Sequence, residues 1–105
     1  MDEDDALPLD EIEVGTYGPH DRFNAQIWIP ETAEWALGEE RFESLADRFG
    51  RLEGVSDLIQ EDREVYLFRA AAGVDLATLR GRVVDIVRAE RVAAIAEGIG
   101  VEDDQ

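Results

Sequence analysis

The chain has 105 residues and a mass of 11.7 kDa, the size of one domain, and its 45% of hydrophobic residues is enough for a core. It has no cysteine and a single histidine, His20, which excludes disulfides, thiolate metal sites, iron–sulfur clusters, thiol nucleophiles and any multi-histidine zinc or copper site. Twenty-six acids against ten bases give a net charge of −16, and every base is arginine.

The charge is unevenly placed. Residues 1–13 hold seven acids and no base, and Glu102, Asp103 and Asp104 close the chain, which leaves the body at 16 acids against 10 arginines, a net of −6 over residues 14–101. Runs of like charge repel themselves and stay solvated, so the sequence predicts disordered acidic tails over 1–9 and 101–105 around a single domain over 10–100. A surface this negative repels phosphate backbones, and direct nucleic-acid binding is not expected. No apolar run approaches the ~20 residues of a membrane span, and the Met1-Asp2-Glu3-Asp4-Asp5 opening is the opposite of a cationic secretory start. The expectation is a soluble cytoplasmic protein with no membrane contact. The missing lysines fit the codon usage of a GC-rich bacterial or archaeal genome, and the acidity also suits a salt-loving cytoplasm. A nucleic-acid mimic, or a partner for a basic protein, are the functional readings of the same charge.

Ile12 to Tyr17 has strand character and runs into the turn signal Gly18-Pro19-His20-Asp21. Phe23 to Ile29 alternates, with Phe23, Ala25, Ile27 and Ile29 on one side and Asn24, Gln26 and Trp28 on the other, the period of a half-buried strand. Thr32 can cap a helix reaching Phe49, in which Phe42, Leu45, Phe49 and Leu52 recur at helical spacing. Trp35 joins that stripe if the helix is continuous. Gly38 is either an interior position or the true start, with Glu39 and Glu40 suited to a helix N-terminus and Gly50 to its end. Val55 to Ile59 and Glu64 to Phe68 flank the polar turn Gln60-Glu61-Asp62-Arg63 and read as a hairpin. Asp75 caps a second helix whose Leu76, Leu79, Val83, Ile86 and Val87 share a face and which ends near Gly98.

This order, two hairpin–helix units (ββαββα), predicts an α+β fold with an antiparallel sheet and two helices on one face. Dropping the first strand leaves most of a ferredoxin-like fold. Leu52-Glu53-Gly54-Val55 followed by Arg63-Glu64-Val65-Tyr66-Leu67 resembles the second strand region of heavy-metal-associated and other ferredoxin-like domains, over that short stretch alone. The Cys-x-x-Cys of the metal-binding family is absent, so its metal function does not carry over. No family is assigned.

Two helices can cover only one face of such a sheet. The open face is expected to carry Asn24, Gln26 and Trp28, joined by Tyr17 and by either Tyr66 and Phe68 or Val65 and Leu67; Tyr17, Asn24, Gln26, Trp28 and Tyr66 are the interface candidates. An aromatic ring on a polar strand face marks a contact surface. Arg80, Arg88 and Arg91 form a basic cluster by helical projection, suited to ion pairing, to an acidic partner or to the chain's own tails. Glu90 projects among Leu79, Val83 and Ile86, where it needs an arginine unless the helix overhangs the sheet. His20 beside Asp21 reads as a loop histidine. No nucleotide loop, calcium loop or nucleophile–base set is present, so no catalytic residue, metal or cofactor is assigned.

The functional expectation is a non-catalytic protein–protein interaction module acting on a protein partner or as a homodimer. The alternatives are a small cofactor-independent enzyme on a dimeric ferredoxin-like scaffold, with Tyr17, His20, Asn24 and Trp28 around a cleft, and an acidic nucleic-acid mimic or inhibitor. The first of these resembles small dimeric monooxygenases in size and expected architecture only.

Overall fold

A computed structural model of the chain describes residues 7–100; the parts of the two acidic tails over 1–6 and 101–105 lie outside the described residues. After a short 3-10 turn at Leu9–Glu11 come β1 (Glu13–Thr16), β2 (Ala25–Trp28), α1 (Ala33–Leu37), α2 (Glu39–Gly50), β3 (Val55–Asp62), β4 (Val65–Ala70) and α3 (Leu76–Ala96). The strands form one sheet in the order β1-β2-β4-β3, every neighbour antiparallel. The expected α+β fold is therefore present, as two hairpins joined through β2 and β4 with the helices against one face. β2 and β3 run parallel on either side of β4, linked by the α1–α2 crossover. This is compatible with the ferredoxin-like alternative, while β1 fills the fourth strand position from the N-terminal side.

The alternation read in the second strand holds. Ala25 and Ile27 are buried under the helices and Trp28 stands on the other side. Phe42, Leu45 and Phe49 of α2 and Leu79, Val83 and Val87 of α3 are buried against the same sheet face, each contributing ~1.5–3 kcal/mol of apolar burial. Leu76 and Ile86, also expected in the core, are half-buried at its edge. The Asp75 cap is formed, its Oδ1 accepting from the Ala77 amide at 3.1 Å, which satisfies one of the amides a helix start leaves over.

The continuous helix from Thr32 to Phe49 is not what forms. Gly38 takes φ +87°, closing α1 and opening α2 in a new direction. L side chains rarely adopt that φ, and a Cβ on Gly38 would stand 2.9 Å from Ile99 Cγ2, so glycine is required there on two counts. The break takes Trp35 out of the Phe42–Phe49 stripe and leaves it 52% exposed, correcting its place in the expected core.

A second correction concerns the N-terminal boundary. Leu7 and Leu9, inside the stretch read as disordered tail, are buried with Ile12 in the core. The acids around them conceal three apolar anchors. The hairpin turn is also shorter than expected: Gln60, Glu61 and Asp62 lie in β3, with Asp62 opposite Val65. Polar residues are tolerated there because β3 is an edge strand. Its acids, and the bulge marked by Asp57 at φ +56°, are devices that discourage a further strand from adding to that edge.

Candidate interaction face

The side of the sheet away from the helices is built from three rows set by the strand register. The middle row is Gly15, Gln26, Leu67 and Ile59; one flanking row is Glu13, Trp28, Val65 and Asp62. The other carries Arg69 and Ser56, with Asn24 and Tyr17 continuing it beyond β2 and β1, where the Tyr17 amide donates to the Asn24 carbonyl at 3.0 Å.

Of the expected interface residues, the structure brings Tyr17, Asn24, Gln26 and Trp28 together on this face. Trp28 is 46% exposed; its indole N–H donates to Gln26 Oε1 at 2.8 Å, and Gln26 Nε2 donates to the Thr16 carbonyl at 3.0 Å. The ring is thus held by its polar edge while its flanks stay wet. Asn24 makes a two-way pair with the Ala70 backbone, Nδ2 to the carbonyl at 3.2 Å and Oδ1 from the amide at 2.7 Å. Half-buried Val65 pairs with Trp28, half-buried Ile59 lies on β3 beyond β4, and Leu67 between Gln26 and Ile59 is almost fully buried.

Tyr66 is not part of it. Trp28 pairs with Val65 and Ile27 with Tyr66, so of the two alternatives for this strand Val65 and Leu67 reach the open face and Tyr66 lies under the helices. There it is fully buried and meets Phe49 edge-on, ring centroids 5.1 Å apart at 86°. Burial pushes its phenol well above the usual tyrosine range, and its hydroxyl has no hydrogen-bond partner among the described residues. Since a buried unpaired hydroxyl is a cost rather than an anchor, Tyr66→Phe should leave stability unchanged or raise it by up to about 1 kcal/mol. A loss larger than that in urea unfolding would show that the hydroxyl has a partner.

Arg80, Arg88 and Arg91 do not form a shared basic site. Arg80 holds the N-terminal segment, its Nε donating to the Ile12 carbonyl at 2.6 Å and Nη2 to the Asp10 carbonyl at 3.3 Å. Arg88 lies 3.6 Å from Asp85 at an exposed position. Arg91 is buried, its Nη1 donating to the Ala36 carbonyl at 2.6 Å and the Ile99 carbonyl at 3.4 Å. Two of the three arginines thus clasp backbone, one near each end of the domain. Helical projection places them on one side of α3 but cannot show the carbonyls that reach them.

Glu90 does have its arginines. It is buried on α3 and accepts from Arg41 at 2.8 Å and from Arg48, both on α2, while Arg41 also donates to Glu97. Burial pushes the Glu90 carboxyl up, but the hydrogen bonds and charges of the two guanidinium groups outweigh it and hold the carboxyl below its ordinary range. Paired with Glu90 and Glu97, Arg41 is raised in turn. A cleft of ≈ 520 Å³ beside this network is walled by Glu39, Glu40, Ser44 and the same charged groups. The charges of Arg41, Glu90 and Glu97 are used in joining α2 to α3 and its C-terminal end.

His20 is engaged in its own loop: Nδ1 accepts from the Arg22 amide at 3.0 Å and the Phe23 amide at 3.3 Å, and the ring lies between Tyr17 and Phe23. With both of these amides on Nδ1, the imidazole serves to close its own turn. The hollow beside Trp28 is open and ringed by Glu11, Glu13, Glu31 and Glu64, a carboxylate rim rather than an apolar chamber. Among the described residues, no three or more His, Cys, Asp or Glu side chains converge as metal ligands would. No described helix is long and apolar enough to cross a membrane.

Comparison of the chain with protein-family models, with curated proteins and with solved structures gives no match.

Proposed function

We propose that this chain is a non-catalytic protein–protein contact module whose working surface is the open face of its sheet. The observation that carries this reading is Trp28, a large ring 46% exposed and out of phase with the buried residues of its own strand, on the face that no helix covers. Beside it on β4 lies half-buried Val65, with half-buried Ile59 one strand further on, and around them stand polar groups, the pattern of an apolar centre with a polar rim. A ring of this size stabilises a complex when a second surface excludes water from it. The indole–Gln26–Thr16 chain of hydrogen bonds holds the ring in place before any partner arrives, so little side-chain entropy is lost on contact.

The test uses a photo-crosslinking residue at Gly15, in the middle row of the face. A Cβ built there meets nothing within 4 Å, so a side chain can start from this position without a clash, and unchanged urea unfolding of the probe variant checks that the fold is kept. A control probe replaces exposed Ala89 on α3. In cells of the source organism, illumination should give a protein adduct from position 15 and none from position 89. Trp28→Glu should abolish that adduct while the domain stays folded, losing no more than about 1 kcal/mol, because the ring is half in water already. Equal adducts from both probes, or none from position 15, would overturn the reading.

A further inference from the structure

Resting on that reading, we infer that the open face takes a second copy of this chain, related by a two-fold axis that runs across the strands. The charge is divided along the strand direction. One end of the face carries Arg69, opposite Ser56 and held by a hydrogen bond from its Nη1 to the Arg22 carbonyl at 3.3 Å, while the Arg22 guanidinium itself stands over the Phe23 ring at 4.9 Å. The other end carries Glu11, Glu13, Glu31, Asp62 and Glu64, and Arg63 at that end is taken by Glu34 at 2.5 Å. The apolar Leu67 and Ile59 lie between the two ends, in the middle row.

A closed dimer has one two-fold axis, and two sheet faces can be apposed by an axis lying either along or across the strands. An axis along the strands, between β2 and β4, keeps each row over its own row and exchanges the sheet edges. Leu67 then meets Gln26, and Glu13 faces Asp62 twice, acid on acid. An axis across the strands keeps the edges and reverses the rows. The middle row then lies on itself, with half-buried Ile59 meeting Ile59 and Gln26 meeting Gln26, over Leu67, which is already buried within its own copy. Arg69 of each copy comes over Val65, between Trp28 and Asp62 of the other, within reach of an ion pair with the carboxylate and a cation–π contact with the indole. The hydroxyls of Tyr17 and Ser56 come over the carboxylates of Glu13 and Asp62. The flanking row with Tyr17, Arg69 and Ser56 thus meets the flanking row with Glu13 and Asp62. Self-complementarity of this kind is what an isologous interface requires.

Three rows on four strands cover roughly 400 Å² per copy by strand and residue spacing. This is about half of a standard interface side, so the contact is a weak, reversible one.

Sedimentation equilibrium on the purified chain, carried up to about millimolar concentration, provides the test. The mean mass should rise from 11.7 kDa toward twice that value, and Trp28→Glu should hold it at the monomer. Arg69→Glu and Asp62→Arg should each weaken the dimer about tenfold or more, and the double variant should recover to within about threefold of the wild type. A damaged Asp62 turn would not be repaired by changing Arg69, so recovery reports the contact between copies. A chain that stays monomeric while its position-15 probe still captures another protein overturns the second copy and leaves the open-face reading standing. A dimer that Trp28→Glu dissolves but the charge exchange does not restore overturns the cross-strand axis. A dimer indifferent to Trp28→Glu overturns both.

Discussion

Phe49→Ala is expected to cost about 3–5 kcal/mol, the range for deleting a buried phenylalanine ring, read as a shift of the urea midpoint with an unchanged slope. The ring is fully buried at the end of α2 and stands edge-on to Tyr66 of the central strand β4, so it joins the first crossover to the sheet. Its removal leaves a cavity bounded by elements from both halves of the chain, and the surrounding atoms can only partly close it. A domain of this size has ~5–15 kcal/mol of stability in all, so the variant should stand near the edge of folding. A cost below about 1 kcal/mol would mean that α2 does not dock on the sheet by this ring.

The sequence made this part of the fold legible because helical periodicity survives even where the surface is crowded with acids. Phe42, Leu45 and Phe49 could be placed without reference to any other element, and so could the two sides of Phe23–Ile29. What failed was information held elsewhere in the chain. Trp35 looks like a member of the α2 stripe until Gly38 turns the backbone, and the neighbour that leaves no room for a Cβ on Gly38 is Ile99, sixty-one residues away. The face of β4 could not be read because Val65, Tyr66, Leu67 and Phe68 are apolar without alternation; only pairing with β2 decides that Tyr66 goes under the helices. Leu7 and Leu9 were hidden by neighbouring charge. On the candidate face, Trp28 was visible because it breaks the phase of its own strand. The middle row with Leu67 and Ile59, and the split between an arginine end and an acidic end, exist only once four strands are in register.

Glu90→Gln should cost about 1–3 kcal/mol at neutral pH, the penalty for leaving a buried charge-assisted network half made. The figure stays below that for a fully buried ion pair because Arg41 and Arg48 are 26% and 41% exposed at their side chains and can turn toward water when the carboxylate is gone. The glutamine keeps the shape and one acceptor but brings an amide that must face a guanidinium. The pH dependence follows from the direction of the shift. Burial alone raises the Glu90 carboxyl, and its two arginines bring it below the ordinary value, so the unfolded chain takes up this proton first as pH falls. The stabilisation is therefore complete above the ordinary carboxylate range, roughly pH 4–5, and is lost as pH falls through the lower folded value. Urea unfolding of both proteins from neutral to acid pH should show the gap between them at full size near pH 7, constant down to that range, and closing below it. At low enough pH a protonated Glu90 and a glutamine are close to equivalent. A gap of the same size in acid as at neutrality would mean that Glu90 acts by shape alone and that α2 and α3 are held together by their apolar contacts, not by this carboxylate.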